Sequence, residues 1–387
     1  MSKHRKICVV TGSRAEYGLF KKLLLKLKID TYLHLQLIVT GSHLSSKHGF
    51  TLSEIKKDLI KIDRKIDIKI SKDNSVGIGK SMSLGLTKLI QSYESLKPDV
   101  VLLLGDRYEI LTAAIAATLC RIPIGHIHGG ELTEGSMDDA FRHSITKMSH
   151  LHFAATKKYQ KRIIQMGEKP KNVYFVGGLG VDNIKNYNFL SKLELEKKLK
   201  LKFLEKSILV TYHSETLSKN SSKNNFKKLL HSLNKLKNTT IIFTMPNSDI
   251  ESNIISKLIY GFVKLNKNAF FFKSLGQNLF FSCCNQVNCM IGNSSSGLLE
   301  MPSFNKFTIN LGDRQKGRIK ANSVIDCKFN ANEIFKCLNY TFKKINNKRL
   351  KHLVNPYGNG GSSDKIISIL RNVMLNKIIY KKFTDLN

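Results

Sequence analysis

The sequence has no apolar run near the roughly 18–20 residues that a membrane-crossing helix needs. Nor does it open with the basic, apolar and small-residue order of a secretory signal. These absences lead us to expect a soluble, cytoplasmic chain without a membrane partner. Acidic residues are scarce, 29 against 63 lysines and arginines, for a formal charge of +34. That excess invites a nucleic-acid partner, yet there is no RNP-like aromatic pattern and no zinc-finger spacing. The basic residues are 52 lysines and only 11 arginines, spread over helix faces as at Lys21, Lys22, Lys26 and Lys28. The expectation is a solvated lysine surface that attracts anionic substrates, and no nucleic-acid partner. The seven cysteines are odd in number, and most sit in apolar runs. Cys283, Cys284 and Cys289 lack a second pair or a histidine at zinc spacing, so they read as free thiols of a reducing compartment.

What is present is alternation. The 387 residues suffice for two domains, and 42 % apolar content can fill a core in each. Strands are expected at Lys6–Thr11, Leu35–Thr40, Val100–Leu104, Ile122–Ile127, Leu151–Ala154 and Val173–Val176. Helices are expected between them, at Ala15–Lys28, Ser81–Leu96, Tyr108–Cys120, Asp138–Ser149 and Thr156–Met166. The polar stretch Asn183 to Lys206 reads as a domain boundary, after which strands resume at Ser207–Tyr212, Thr240–Thr244, Ala269–Phe272, Val287–Ile291 and Phe307–Asn310. Continuous apolar strands separated by helices indicate parallel sheets covered on both faces. The expected division is 1–182, 183–363, and a last amphipathic helix within 364–387. Ligands of such folds bind at strand C-terminal ends, in a cleft between two facing domains.

Small and charged residues gather where those strands end. Asn293-Ser294-Ser295-Ser296-Gly297 follows an apolar run and opens a short helix, with Glu300 one turn on and Arg314 and Arg318 beyond the next strand. Backbone N–H groups at such a turn suit an anion, so this reads as a cradle for a diphosphate. Gly12-Ser13-Arg14-Ala15-Glu16 is a second small-residue turn, although it is not GxGxxG and no acidic residue ends the next strand. His43 follows the second strand and Asp106-Arg107 the fourth; His213 and Pro246-Asn247 end strands of the second half. In His126-Ile127-His128-Gly129-Gly130-Glu131, strand alternation would put both imidazoles on one face. Asp138, Asp139, Arg142 and His143 follow on a helix. The pair has no clear third metal ligand, so acid–base proton transfer fits it better than zinc.

Taken in order, these pieces resemble the hydrolysing UDP-N-acetylglucosamine 2-epimerases, including the sialic and legionaminic acid members of the UDP-sugar 2-epimerase family. The likeness runs from Ser13-Arg14-Ala15-Glu16 to Asn355-Pro356-Tyr357. It is densest in Gly105-Asp106-Arg107-Tyr108-Glu109, from His126 to Met148, in Gly167-Glu168-Lys169-Pro170, and in the Asn293 and Gly312-to-Arg318 segments. The resemblance implies a GT-B-like α/β architecture of two Rossmann-like domains with the active site in the cleft between them. It implies a nucleotide-sugar substrate, no metal or nicotinamide cofactor, and a homodimer or homotetramer. Carried over by position, Asp106, His128, Glu131, Asp138 and His213 are the catalytic candidates. Arg14, Ala15, Glu16, His43, Arg142, Asn247, Ser294, Ser295, Gly297, Glu300 and Arg314 are the substrate-binding ones. The implied reaction is elimination of UDP to a glycal, then hydration with inversion at C2, giving N-acetylmannosamine. The same chemistry on UDP- or GDP-linked N,N'-diacetylbacillosamine is the alternative, and a retaining GT-B glycosyltransferase a remoter one. Many relatives carry glutamate where His128 stands, so the carboxylate base falls to Asp106, Glu131 or Asp138, or His128 itself takes the proton.

Overall fold

A computed structural model describes residues 4–45, 52–70, 74–133, 137–213, 221–245, 252–344 and 353–385. The chain forms two compact units. The first contains β1 (Arg5–Thr11), α1 (Arg14–Lys28), β2 (Leu33–Thr40), α2 (Leu52–Lys57), β3 (Arg64–Ile66), α3 (Ser75–Leu96), β4 (Val100–Leu104) and α4 (Tyr108–Leu119). It continues through β5 (Ile124–Ile127), α5 (Met137–Met148), β6 (Leu151–Ala154), α6 (Lys157–Gln165), β7 (Val173–Phe175) and α7 (Leu179–Ile184). The second unit contains α8 (Lys192–Leu199), β8 (Lys206–Thr211), α9 (Ser221–Asn234), β9 (Thr239–Thr244), α10 (Ser252–Leu265), β10 (Ala269–Phe272) and α11 (Gly276–Gln286). It ends with β11 (Cys289–Gly292), α12 (Ser296–Leu299), β12 (Phe307–Leu311), β13 (Val324–Cys327) and α13 (Ala331–Lys343). The chain then rejoins the first unit with α14 (Ser362–Asn372) and α15 (Leu375–Ile378).

Both sheets are parallel throughout, in the orders β3-β2-β1-β4-β5-β6-β7 and β10-β9-β8-β11-β12-β13. Each runs outward one way from its first strand and then reverses, placing a topological switch point between β1 and β4 in one unit and β8 and β11 in the other. Period-two alternation in β1 feeds two cores. Ile7 and Val9 pack with Tyr17, Phe20, Leu23 and Leu24 of α1 and with Ile366 and Leu370 of α14. Cys8 and Val10 pack on the other face, with Leu89 and Tyr93 of α3 and the alanines of α4. Burial on both faces is why β1 and β4 read as unbroken apolar runs.

Several expectations need correction. Three-residue β3 and helices α2, α7 and α8 were not anticipated, and β13 extends the second sheet by one strand. The stretch taken for a boundary holds α8, whose Ser191 and Glu194 form a capping box. The first unit runs to Lys185 and resumes at Tyr357, so Asn183–Lys185 and Tyr357–Ser363 leave the expected second domain. Asp182 explains why: its wholly buried carboxylate accepts from Lys22 Nζ at 3.1 Å, Gly361 N at 2.7 Å and Ser363 N at 2.8 Å. These donors hold it below the usual carboxylate range. Asp182→Ala is expected to cost about 2–4 kcal/mol, because it leaves the Gly361 and Ser363 amides without their acceptor and takes one carboxylate bond from Lys22; the urea midpoint measures it. Among the described residues no helix is long and apolar enough to cross a membrane.

Candidate active site

In the first unit the switch point opens between Thr11 and Gly105. Ser13 caps α1, its hydroxyl accepting from Glu16 N at 3.3 Å. The Glu16 carboxylate folds back to accept from Gly12 N at 2.7 Å. Glu109, from the first turn of α4, is buried beside it and accepts from Arg107 Nε at 3.0 and 3.2 Å; Glu16 lies 4.0 Å from the same nitrogen. Two buried carboxylates share one guanidinium, so one of them is held protonated. Burial first, then the Glu109 charge, push Glu16 up to about 8, against the opposing pull of Arg107 and the Gly12 amide.

A carboxyl whose pKa is raised on folding keeps a proton that the unfolded chain loses, so stability falls as pH rises from about 4.5 to 8. Glu16→Gln removes that penalty. The variant is expected to match the parent near pH 4 and to exceed it by about 2–4 kcal/mol above pH 8. Urea titrations across pH check this, and a gap that narrows toward alkaline pH would contradict it.

Arg14 and Ala15 are exposed at the N-terminus of α1. His43 is wholly buried, in a short 3-10 turn after β2. Its ring meets Thr11 Oγ1 at 3.2 Å and the backbone of Ser13, and burial lowers its pKa to about 4. The ring is therefore neutral and supports the Gly12–Arg14 turn from within.

The second cluster of this unit lies where β5 meets α5. His126 is buried and neutral, its pKa lowered by burial to about 3. Its Nε2–H donates to Gly105 O at 2.8 Å, and Nδ1 meets Thr146 Oγ1 at 3.1 Å. The ring thus ties the end of β4 to α5. Strand alternation stops there: β5 ends at Ile127, and His128 takes φ +65°, a left-handed conformation uncommon for a side-chain-bearing residue. The expected shared imidazole face therefore does not extend to His128. Leu179 N–H donates to His128 Nε2 at 3.3 Å, which leaves the proton on Nδ1, directed at Glu131 Oε1 at 2.9 Å.

Arg142 is the hub. It is 2 % exposed and donates to Asp106 Oδ2, to Asp139 Oδ1 at 3.0 Å and to Glu131 O at 3.0 Å. Asp138 and Asp139 sit in the first turn of α5, where the helix dipole favours carboxylates. The structure thus brings Asp106, His128, Glu131 and Arg142 into one bonded group, with Asp138 at the start of the helix that carries Arg142. Arg107, His126 and Asp139, noted in the sequence, were not among the residues carried over as catalytic or substrate-binding, and Glu109 was given no role.

In the second unit the switch point lies between β8 and β11. Gly292 has φ +145°, and a Cβ there would lie 1.9 Å from Thr211 O, so only glycine lets β11 end this close to β8. Asn293 then locks the strand ends: its amide donates to His213 O and its carbonyl accepts His213 N, both at 2.8 Å. Arg314 Nη1 at 3.1 Å and Gln315 Nε2 at 2.8 Å both donate to Asn293 O. Burial, then Arg314, lower His213 to about 4, so it is neutral near pH 7. Ser294 and Ser295 are half-buried where α12 begins, and Gly297 packs where a Cβ would lie 2.5 Å from Thr308 Cγ2. Glu300 ends that helix, largely buried. Gln315 was missed, and the expected Asn247, with Pro246, lies outside the described residues.

Two doubly wound parallel sheets, each with polar residues clustered at its switch point, define a GT-B-like fold. A family model described as UDP-N-acetylglucosamine 2-epimerase matches residues 25–371, and the chain belongs to that family. It is 43 % identical, over the full length of both chains, to the GDP/UDP-N,N'-diacetylbacillosamine 2-epimerase (hydrolyzing) of Campylobacter jejuni. It is 35 % identical to the UDP-N,N'-diacetylbacillosamine 2-epimerase (hydrolyzing) of Legionella pneumophila, over 98 % of each chain. The UDP-GlcNAc 2-epimerase of Neisseria meningitidis, solved bound to UDP-GlcNAc, shares the fold with a TM-score of 0.72 at 21 % identity. That match covers 94 % of this chain and 99 % of the other.

Proposed function

We propose that this chain is a hydrolysing 2-epimerase of nucleotide-linked N,N'-diacetylbacillosamine, releasing the nucleoside diphosphate and the free 2-epimeric sugar. The observation that carries the substrate is the 43 % full-length identity to the Campylobacter jejuni enzyme of that name, supported by the Legionella pneumophila enzyme at 35 %. The Neisseria meningitidis enzyme named for UDP-N-acetylglucosamine is 28 % identical. This replaces the first expectation, UDP-N-acetylglucosamine, with its alternative.

The chemistry divides between the two polar clusters. The C2 proton of the sugar is not acidic by itself, so its removal accompanies departure of the anomeric diphosphate. Glu131, held by the Nδ1–H of His128, takes that proton. The C1–O bond breaks, its electron pair leaves on the diphosphate, and a glycal remains. Water then adds its oxygen at C1 while a proton returns to C2 from the opposite face, with Asp106 and Asp138 as the remaining carboxylates for these transfers. Arg142, engaged by three protein oxygens, organises these groups. His43 does the same for the Gly12–Arg14 turn. In the second unit, the Ser294–Ser295 turn, Arg314 and Glu300 take the nucleotide, and the departing charge is stabilised there.

Incubation in heavy water with UDP- or GDP-N,N'-diacetylbacillosamine tests this. Nucleoside diphosphate release with one deuterium at C2 is expected, at a kcat/KM about 10–100-fold above that for UDP-N-acetylglucosamine. Release without label at C2 would sink the reaction; a preference for UDP-N-acetylglucosamine would sink the substrate.

A further inference from the structure

The Gly167-Glu168-Lys169-Pro170 segment stands among the motifs of the resemblance yet contributes nothing to either polar cluster. It receives the end of the chain instead. After α15, whose Ile378 is buried in the first unit's core, the backbone passes along α5, β6 and the loop after α6. Ile379, Lys381, Phe383 and Thr384 make its contacts. The Ile379 backbone meets the His150 ring. Lys381 Nζ donates to Lys147 O at 2.5 Å, Ser149 O at 2.7 Å and Glu168 Oε2 at 2.7 Å, which uses all three ammonium protons. Phe383 lies on Gly167, so close that a Cβ there would fall 2.4 Å from the ring. Lys147 Nζ stands 4.8 Å from the centroid of that ring, and Thr384 N donates to Gly167 O at 3.0 Å.

Two of the three Lys381 acceptors are carbonyls at the C-terminus of α5. A helix leaves its last carbonyls unsatisfied and carries negative potential there, so an ammonium at that position is a cap. Glu168, 2 % exposed, holds the cap in place through its bonds to Lys381, to Lys147 at 2.7 Å and to His152 at 2.9 Å. The first turn of α5 carries Asp138 and Asp139, and its middle carries Arg142. One helix of three turns thus links the chain terminus to the group formed by Asp106, Arg142 and Glu131.

We propose that the segment from Ile379 to Thr384 is a strap whose Lys381 caps α5 and fixes the axial position of that helix, making Lys381 a remote positioning residue for the Asp106–Arg142–Glu131 group. The catalytic consequence rests on the proposed epimerase reaction; the capping does not. Small displacements of catalytic groups are costly in rate, and a shift near 1 Å can lower kcat by about 100-fold.

The test uses full-length variants. Lys381→Met is expected to lower kcat by about 10–100-fold with KM unchanged, and to speed amide exchange in α5 while β1 and β4 stay protected. Lys381→Arg, which still donates to carbonyls and Glu168, recovers most of the loss. Phe383→Ala removes the ring without stranding a buried charge and gives a smaller change of the same kind, which keeps the test decisive if Lys381→Met folds poorly. Unchanged kcat and unchanged α5 exchange in both variants overturn the proposal. So does faster exchange spread evenly over β1, β4 and α5, the mark of general destabilisation. If the parent turns over no nucleotide sugar, the reaction fails, and α5 exchange alone decides the strap.

Discussion

Glu131→Gln is expected to lower kcat by about 10²–10⁴-fold, the usual contribution of a general acid or base, while nucleoside diphosphate affinity stays at the parent value. Glutamine has the shape of the carboxylate, and its carbonyl still accepts the Nδ1–H of His128, which lies 2.9 Å from Glu131 in the parent. Arg142 donates to the backbone oxygen of Glu131, which the substitution leaves in place. What is removed is the capacity to take a proton, so the loss falls on kcat and on deuterium entry at C2. Single-turnover measurements in heavy water separate this from binding. A kcat equal to that of the parent assigns the C2 proton to Asp106 or Asp138. His128→Gln should do less, because the imidazole has both nitrogens engaged by protein and acts through the carboxylate it orients.

The second large effect belongs to Arg142. Its guanidinium is buried and spans Asp106, Asp139 and the Glu131 carbonyl. Arg142→Met keeps the length of the side chain and removes every donor. Asp106 and Asp139 both lose this guanidinium, Asp139 keeping His143 at 3.4 Å, at a cost of about 2–4 kcal/mol, below the fully buried limit because both carboxylates are about a quarter exposed. Activity should fall with stability, since Asp106 loses its anchor. Arg142→Lys should restore little, because one ammonium cannot match a fork that reaches three acceptors. Urea midpoints and kcat on the same preparations check both effects. A variant as stable as the parent would show that the carboxylates find other partners.

Parallel α/β organisation was legible because strands buried on both faces are unbroken apolar runs, as Val100 to Leu104 shows. Short or fully buried elements were not. In β3 only Ile66 of three residues is buried, too little for a pattern. Every residue of α7 is buried, so no polar face marks a helical period. The overlooked α8 did carry a signal, the Ser191-to-Glu194 capping box, masked by its lysines. At the site, residue types at strand ends marked the loops in which the polar clusters lie, whereas pairing within them depends on contacts between distant elements. The sequence suggested that His126 and His128 share a role. The left-handed turn at His128 separates them, leaving one as a structural tie and the other as the partner of Glu131. Glu109 was given no role because its bond to Arg107 is local while its effect falls on Glu16, at the far side of the switch point.

The return of α14 to the first unit carries a consequence for biosynthesis. Arg5 donates to Leu370 O, 365 positions later, and Ile366 and Leu370 fill the core beside β1. At about 5–20 residues per second a ribosome delivers that partner on the order of tens of seconds after β1 emerges. The second unit is nearly continuous in sequence and is complete by Pro356. The half made last therefore matures first, and the half made first waits with an open hydrophobic face, the interval in which a chaperone would find this chain.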